Sequence, residues 1–444
     1  MIELVLPAND AENLRGDLLG SDTERCAVVY ARSVVSVDRV IRLLAHEVQF
    51  PAPTDYLRKG RLEAELAPEF VARVTKRARL EQSALIFAHS HPGHEPPVFS
   101  RTDDKGEARL KKFLDRRHPE AEHGALVISA GGVRARRLGL AEEIRVSSLG
   151  AIHRVLFDPS STAASHPHVF DRQVRVFGAD GQAAIQRLRV AVVGLGGTGS
   201  LVAQQLAHLG VRDFIFIDPD VIEISNLNRV ANASASDVDQ PKVDVAARYV
   251  RSVQPSASVS TIRGDVVHAQ IARQLLSADL IFGCTDSHGS RAVMQQVAYQ
   301  YLIPCIDLGV TIAVRHGSIS HIFGRVQLLS PTLACLTCDG LLDSNEVRRD
   351  MMTPFERQAD PYIQGDREPA PAVMSLNGTV SSLAISLMLA VFAGVPINGR
   401  HLLYNAMSSS LRTARAEPKP QCFVCSRSGA FARGNSWPLF ARED

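Results

Sequence analysis

Apolar residues in this chain gather into short runs whose spacing lays out the elements. Cys26-Ala-Val-Val-Tyr30 and Ala84-Leu-Ile-Phe-Ala88 are β-rich runs and read as strands. Between them, Pro68 to Leu80 places its apolar positions at helical spacing. Asp103 to Arg116 reads as a charged helix and Ala125 to Ser129 as a closing strand. A small-residue, proline-containing stretch beginning Asp158-Pro-Ser-Ser then reads as a linker. Beyond it strands and helices alternate: a strand Val190–Val193, a helix after Gly199, then strands at Phe214–Ile217, Leu280–Phe282 and Ile303–Leu308. That order predicts an α/β fold with a mostly parallel sheet. Residues 339–370 are charged, contain proline and have weak periodicity, which predicts a mobile loop. The longest apolar run, Leu383 to Ile397, is too short to span a bilayer and contains Ser386 and Gly394, so it reads as a buried helix. Internal repeats and low-complexity tracts are not seen.

Composition narrows the class. A length of 444 residues predicts two or three domains. Hydrophobic residues at 45%, charged residues at 22% and a net charge of +2 suit a globular chain without a strong field for nucleic acid or an anionic membrane. The start, Met-Ile-Glu-Leu-Val-Leu-Pro, carries an acid at position 3 and has no signal-like apolar core. Seven cysteines in such a chain argue for a reducing cytoplasm. Four of them form two CxxC pairs, Cys335/Cys338 and Cys422/Cys425, a spacing that points to metal rather than disulfides.

His89-Ser90-His91 follows an apolar strand, and two histidines at i and i+2 on a strand end face the same way. They can grip one zinc ion, with a carboxylate shortly downstream as third ligand and a fourth position open for water. Zinc lowers the pKa of such a water towards ~7. His94 reads as a loop histidine. With Pro92 and Ser100-x-x-Asp103 after them, these residues resemble the JAB/JAMM (MPN-type) metallopeptidase family over about the first 150 residues. The resemblance implies that His89, His91 and Asp103 are ligands and that Ser100 stands on the oxyanion side. It implies that Glu24, just before the Cys26 run, is the general base, with Glu47 the weaker candidate. Eight residues separate His91 from Ser100 where seven is usual, which leaves Asp104 as an alternative to Asp103.

The second half carries Gly194-Leu-Gly196-Gly197-Thr-Gly199 between a strand and a helix, where the backbone can approach a phosphate or ribose near a helix N-terminus. Asp218, at the end of the next strand, can hold ribose hydroxyls. The residues beyond Asp218 do not suit a dehydrogenase. Arg229 and Lys242 can neutralise a triphosphate, and Asp286, in Cys284-Thr-Asp286, can hold Mg²⁺ beside it. In this order the residues resemble the ThiF/MoeB superfamily, the bacterial relatives of ubiquitin-activating enzymes, over most of residues 168–427. The resemblance adds Asn226 to the nucleotide positions. It implies that Arg172, in Asp171-Arg172-Gln173, reaches the nucleotide of the other subunit of a homodimer. It also makes the four cysteines a structural zinc site. One departure concerns the thiol that many relatives carry before the helix starting here near Met374: no cysteine lies between Cys338 and Cys422. Cys284 and Cys305 stand in strand contexts, so a thioester with substrate is not expected.

These readings divide the chain into a mixed α/β metallopeptidase-like domain at 1–157, a linker at 158–167, a Rossmann-like adenylating domain at 168–430 and a tail at 431–444. They predict a bifunctional cytoplasmic enzyme with two Zn²⁺ per chain, one catalytic and one structural, together with ATP and Mg²⁺. Its substrate would be a ubiquitin-like protein or peptide, trimmed or deconjugated by one half and adenylated at its carboxylate by the other. A separate conjugating enzyme or sulfur donor could follow; nucleic acid and membrane are not expected partners. The rivals are a peptide-adenylating enzyme of secondary metabolism with an accessory peptidase, and a non-catalytic scaffold.

Overall fold

A computed structural model describes residues 2–61, 63–160, 168–360 and 370–443. The chain forms two compact units. The first comprises Met1–Thr162, Gln300–Leu302 and Ala430–Trp437, and the second holds the rest. Most of the expected linker, 161–167, lies outside the described residues. The expected tail is shared between the units: Ala430–Trp437 falls to the first, where Gly434 sits against Val34 and Leu44.

The first unit contains β1 (Ile2–Pro7), α1 (Ala8–Leu18), β2 (Cys26–Val35), β3 (Ile41–Gln49), a small hairpin β4 (Tyr56–Lys59) and β5 (Ala64–Leu66), α2 (Pro68–Glu81) and β6 (Ala84–Ser90). It continues through α3 (Arg101–Arg117), β7 (Gly124–Ser129), β8 (Gly132–Arg137), β9 (Arg145–Leu149) and β10 (His153–Phe157). Eight strands form one mixed sheet in the order β10-β9-β1-β3-β2-β6-β7-β8. β2 is central, and alternation sends its side chains to two cores. Ala27, Val29 and Ala31 join Leu14 and Leu18 of α1 on one face. Val28 and Tyr30 join Phe70, Val74 and Ala78 of α2 and Leu114 of α3 on the other. The helix expected from Pro68 therefore has its apolar stripe where the sheet needs it, with Pro68 in its first turn and Gln82 closing it in the left-handed region at φ 53°.

The second unit opens with α4 (Asp171–Arg187), β11 (Arg189–Val193), α5 (Gly197–Leu209), β12 (Asp213–Ile217), α6 (Lys242–Val253) and β13 (Ser258–Ile262). Next come α7 (Ala269–Ala272), β14 (Leu280–Gly283), α8 (His288–Gln300), β15 (Cys305–Arg315) and β16 (Ser318–Leu329). α9 (Ser344–Met351), α10 (Pro354–Ala359), α11 (Met374–Phe392), β17 (His401–Asn405) and β18 (Ser410–Thr413) complete it. The sheet order is β13-β12-β11-β14-β15-β16-β17-β18. The first five strands pair in parallel, as the alternating pattern predicts, and the last three are added antiparallel. Strand order reverses between β11 and β14, a topological switch point that opens a crevice at the carboxyl ends of the strands.

Two local expectations need correction. The span 339–370 is not one loop: α9 is capped by the Asp343 side chain and α10 by Thr353, and short polar caps nucleate helices where apolar periodicity is too weak to show them. Residues 361–369 of that span lie outside the described residues. The apolar run Leu383–Ile397 is helical only as far as Phe392, in a helix that begins at Met374 as expected. By length and composition alone α11 could cross a membrane. Here it buries Val380, Ile385, Leu387, Met388 and Val391 in the core with strands β11, β14 and β16. Truncating Leu387 or Met388 to Ala should cost roughly 2–5 kcal/mol, by lost transfer energy and the cavity left behind.

One half-buried histidine makes the first unit pH-sensitive. His123 accepts the Leu85 N–H at Nδ1 (3.0 Å), and its Nε2 lies 3.1 Å from the His118 carbonyl, so the neutral ring is fully satisfied. Burial pushes its pKa down to about 4. An unfolded histidine titrates near ~6.5, so as pH falls from about 6.5 to 4 the unfolded chain takes up a proton that the folded chain refuses. Stability should drop through that window, by at most about 3 kcal/mol from this group, and level off below it. Denaturant melts at pH 7, 5.5 and 4.5 check this, with His123→Asn flattening the dependence; an NMR titration of His123 near pH 6.5 would contradict it.

Candidate functional site

In the first unit the metal-binding candidates meet at the end of β6. β2 pairs antiparallel with β6, bringing Cys26 opposite His89. One residue further, Ser90 is buried and accepts the Arg25 N–H through its hydroxyl (3.0 Å), while the Ser90 N–H donates to the Arg25 carbonyl (3.0 Å). The strand that carries the histidines is thereby bolted to the segment that carries Glu24. His89 and His91 point the same way: their Nε2 atoms are 3.2 Å apart, and each is 3.3 Å from an oxygen of Asp103. Three donors bound tetrahedrally to zinc at its usual ~2.0–2.1 Å would be separated by about 3.3 Å, so the trio matches one face of such a tetrahedron.

Asp103 reaches the histidines because α3 begins with a capping box. The Ser100 hydroxyl accepts the Asp103 N–H (3.2 Å), and the Asp103 carboxylate accepts the Ser100 N–H (2.6 Å). Ser100 is thus placed as a helix cap that orients Asp103. The extra residue before it does not bring Asp104 to the histidines; Asp104 pairs with Arg136 at 2.7 Å. Burial alone would raise the Asp103 carboxyl, but hydrogen bonding to His89 and His91 outweighs it and holds the group well below the usual range. The Asp103 hydrogen bond raises His91 in turn. Glu24 is buried, which raises its pKa, and the nearby His89 and His91 pull it back. Glu47 stands elsewhere, clamped in a two-pronged ion pair with Arg77 at 2.7 and 2.6 Å. His94 is exposed.

Several supports had no local signature. The β4–β5 hairpin holds the Glu24 N–H through the Gly60 carbonyl (2.8 Å) and the Cys26 N–H through the Tyr56 hydroxyl (3.0 Å). Arg136, paired with Glu107 at 2.8 Å, stacks 3.9 Å over the Phe99 ring, which lies beside His89. These partners are mostly about 30 or more residues from the groups they hold, and only the folded register brings them together.

In the second unit the glycine loop closes the carboxyl end of β11. Gly194 lies at φ +86°, and a Cβ there would come within 2.9 Å of the Cys284 backbone at the end of β14. Gly199 is tighter: a Cβ would sit 1.8 Å from the Gly194 carbonyl oxygen. These two glycines let α5 start directly over the strand, aiming its N-terminal N–H groups into the crevice. Asp218 is buried at the end of β12 and accepts the Leu195 N–H (2.6 Å) and the Asp220 N–H (2.8 Å). Burial raises its pKa, against the attraction of Lys242. Gly196 comes next in the same turn, and Gly197 is faced by the Asn377 amide of α11.

Of the expected phosphate-binding groups, Arg229 lies against Gly197 and Lys242 stands near Leu195 and Asp218. Lys242 opens α6 and pairs with Asp220 (2.7 Å), and Arg229 donates to the Ser225 carbonyl (2.5 Å). Asn226 is buried and its carbonyl oxygen accepts the Glu223 N–H (3.4 Å). Asp286 is exposed just past the end of β14. Arg172 is exposed in the first turn of α4, where its neighbour Gln173 donates to the His208 carbonyl (3.0 Å). Asn377 and Ser381, whose hydroxyl donates to the Thr198 carbonyl (3.0 Å), have no motif to mark them in the sequence. They are polar residues four apart in an apolar helix, a signal that marks one face.

Cys335, Cys338, Cys422 and Cys425 converge with all sulfurs within 4.8 Å of one another. Cys335 and Cys422 are 3.6 Å apart, and Cys338 and Cys425 are 3.5 Å apart. Four thiolates on zinc at ~2.3 Å would stand about 3.8 Å apart, so the donor set suits that ion. Backbone N–H groups of Cys338, Val424 and Lys419 donate to the sulfurs at 3.3–3.4 Å, which favours the thiolate form. The other three cysteines are buried, and burial raises each thiol: Cys26 to about 12, Cys284 and Cys305 further. None is an activated nucleophile.

An open zinc-type site at a strand end and a glycine-loop crevice at a switch point define a protein pairing a JAB-type domain with a nucleotide-binding adenylating domain. Residues 170–424 match the ThiF family, and residues 17–139 match the prokaryotic homologs of the JAB domain. The chain belongs to the ThiF family, as an adenylyltransferase of ThiF type that also carries a JAB domain. It is 28% identical to the SAMP-activating enzyme E1 of Haloferax volcanii over 57% of this chain and 85% of the relative. It is 26% identical to the molybdopterin-synthase adenylyltransferase of Escherichia coli over 58% of this chain and 96% of the relative. Among solved structures, Escherichia coli MccB with MccA-N7isoASN is similar at 17% identity and a TM-score of 0.48, over 59% of this chain and 76% of that one.

The two donor sets should load independently. Metal analysis of the full chain is expected to find two zinc ions. His89→Ala should lose one with little change in melting temperature. Cys335→Ser should lose the other and lower the melting temperature sharply, because metal binding at a closed site contributes to folding. A single zinc in the unaltered protein would contradict the pair.

Proposed function

We propose that this protein hydrolyses an amide bond near the C-terminus of a ubiquitin-like protein or peptide and adenylates the carboxylate so exposed. The observation that carries the reading is the set of donor distances between His89, His91 and Asp103, matched to a tetrahedral ion with Glu24 beside it, on a chain of the ThiF family. When bound, zinc supplies a water acidified to a pKa of about 7. Glu24 takes a proton from the attacking water and returns it to the leaving amine, and Ser100 holds Asp103 in place and lies on the side of the developing oxyanion. Trimming and deconjugation differ only in what the leaving amine belongs to.

In the second half a carboxylate oxygen of the substrate attacks the α-phosphorus of ATP. The bond from that phosphorus to its bridging oxygen breaks, leaving an acyl-adenylate and pyrophosphate. The glycine loop with Asp218 and Asn226 holds the nucleoside, Arg229 and Lys242 meet the phosphates, and Asp286 would hold Mg²⁺. Arg172 is exposed in keeping with a reach into a second subunit, which makes a homodimer the working assembly. Buried, unactivated thiols at Cys284 and Cys305 favour handing the adenylate to a separate sulfur donor or conjugating enzyme. Relatives with activating and adenylyltransferase names support a protein-like substrate, and seven unpaired cysteines favour the cytoplasm.

Glu24→Gln is expected to slow cleavage of a ubiquitin-like fusion by ~10²–10⁴-fold while zinc content stays unchanged, since a base and not a ligand is removed. Cleavage at the normal rate would remove Glu24 from the mechanism. Asp286→Ala should abolish substrate-dependent ATP–pyrophosphate exchange and leave cleavage intact. Arg172→Ala should do the same, and mixing those two variants should restore part of the exchange if Arg172 acts across a dimer. Exchange that survives Asp286→Ala would oppose the adenylation assignment.

A further inference from the structure

The antiparallel extension of the second sheet carries a cationic groove that the nucleotide chemistry does not use. A cavity of about 510 Å³ lies over β15, β16 and β17 and is lined by Arg291, Arg325 and Arg412 with no acidic residue. Register explains its shape. Gly309 pairs with Arg325, Arg325 with Leu403, and Leu403 with Arg412, so these four residues form one row across four strands. At one end the Arg291 guanidinium covers Gly309, where a Cβ would lie only 2.7 Å from it. Val380 of α11 lies against Gly324, one position along β16 from Arg325 and so on the opposite face. The row therefore faces away from α11, leaving Leu403 within it and Phe323 beside it exposed.

The charge count shows what the groove would take. Arg291 and Arg325 both pair with the buried Asp307 beneath them, so one carboxylate answers two guanidinium groups. Arg412 is exposed and makes no ion pair among the described residues. Two positive charges remain uncompensated, spread along an apolar-edged channel. Arg291 also lies on α8, five residues after Asp286, so the groove begins beside the site where a substrate carboxylate would meet ATP.

We infer that this groove selects substrates whose C-terminal segment carries Asp or Glu side chains a few residues before the terminal carboxylate. The inference rests on the adenylation reading and adds to it a charge requirement on the substrate. Neighbouring strands are about 4.8 Å apart and an extended peptide advances about 3.3 Å per residue. Counted from β14, Arg325 stands two strands away and Arg412 four, or roughly 10 and 19 Å, which extended chain covers in about three and six residues. The acidic positions therefore fall about three to six residues before the terminus, with Phe323 and Leu403 under the apolar parts between them.

The test uses the full-length protein and two N-terminally labelled decapeptides ending in Gly-Gly. One has Glu and the other Gln at the third and sixth positions before the end. Fluorescence anisotropy at low salt is expected to show the Glu peptide binding about fivefold or more tightly, a margin that shrinks as salt rises. Arg412→Glu should erase or reverse the preference with no change in KM for ATP. Equal binding of the two peptides, or no binding of either, overturns the groove. So does an equal rise in KM for ATP in Arg412→Glu, which would make the arginines part of the nucleotide site. ATP–pyrophosphate exchange with the same peptides separates the two claims: binding with Glu preference but no exchange sinks the adenylation reading and leaves the groove standing.

Discussion

The parallel pairing of β11 with β14 is the constraint on which the second unit depends. Val193 lies opposite Gly283, and beyond that register the chain leaves the two strands in different directions. The glycine loop turns back into α5, while Cys284-Thr-Asp286 continues towards α8. A crevice results without any cavity being carved from the core, and the backbone amides of a helix start are the first groups to line it. The fit is close enough that a single methyl group at Gly194 or Gly199 would strike backbone atoms. Asp218 then fixes the loop by accepting the Leu195 amide, which makes it a structural residue as well as a candidate ribose contact.

The first unit reaches a comparable result by different means. Its metal candidates stand on a strand end and a helix start, two rigid places, and the capping box of α3 ties the position of Asp103 to the backbone at Ser100. Ser90 and the β4–β5 hairpin brace Glu24 from both sides. These braces keep the Glu24 carboxylate near the histidines but outside the donor trio. The four-cysteine cluster is of another kind, closed and fed by backbone amides, and leaves no position for a substrate.

Much of this is legible in the residues alone, and for identifiable reasons. HxH on a strand, a glycine loop between strand and helix, and paired CxxC spacings are local patterns whose chemistry depends on separations of a few residues. Long apolar runs such as Ala84–Ala88 and Val190–Val193 mark their strands because burial is written in composition. The stretch at 339–370 is misread as a loop because its helices rest on caps and charges rather than on an apolar stripe.

What the sequence determined by itself was therefore the set of chemical groups: two histidines and an aspartate, four thiols, and a glycine loop with its acids and bases. Which of two candidates stands near the histidines was decided only by folding. Asp103 rather than Asp104 meets the histidines because a helix cap aims it, and Glu24 rather than Glu47 is near them because β2 pairs with β6 while Arg77 holds Glu47 elsewhere. The cationic row of Arg325 and Arg412 was equally hidden. Its members are 87 positions apart in the numbering, and only the cross-strand register of β16, β17 and β18 puts them on one face. Local chemistry comes from short separations along the chain, whereas selection among alternatives comes from hydrogen-bonded register between distant segments, which no local pattern encodes.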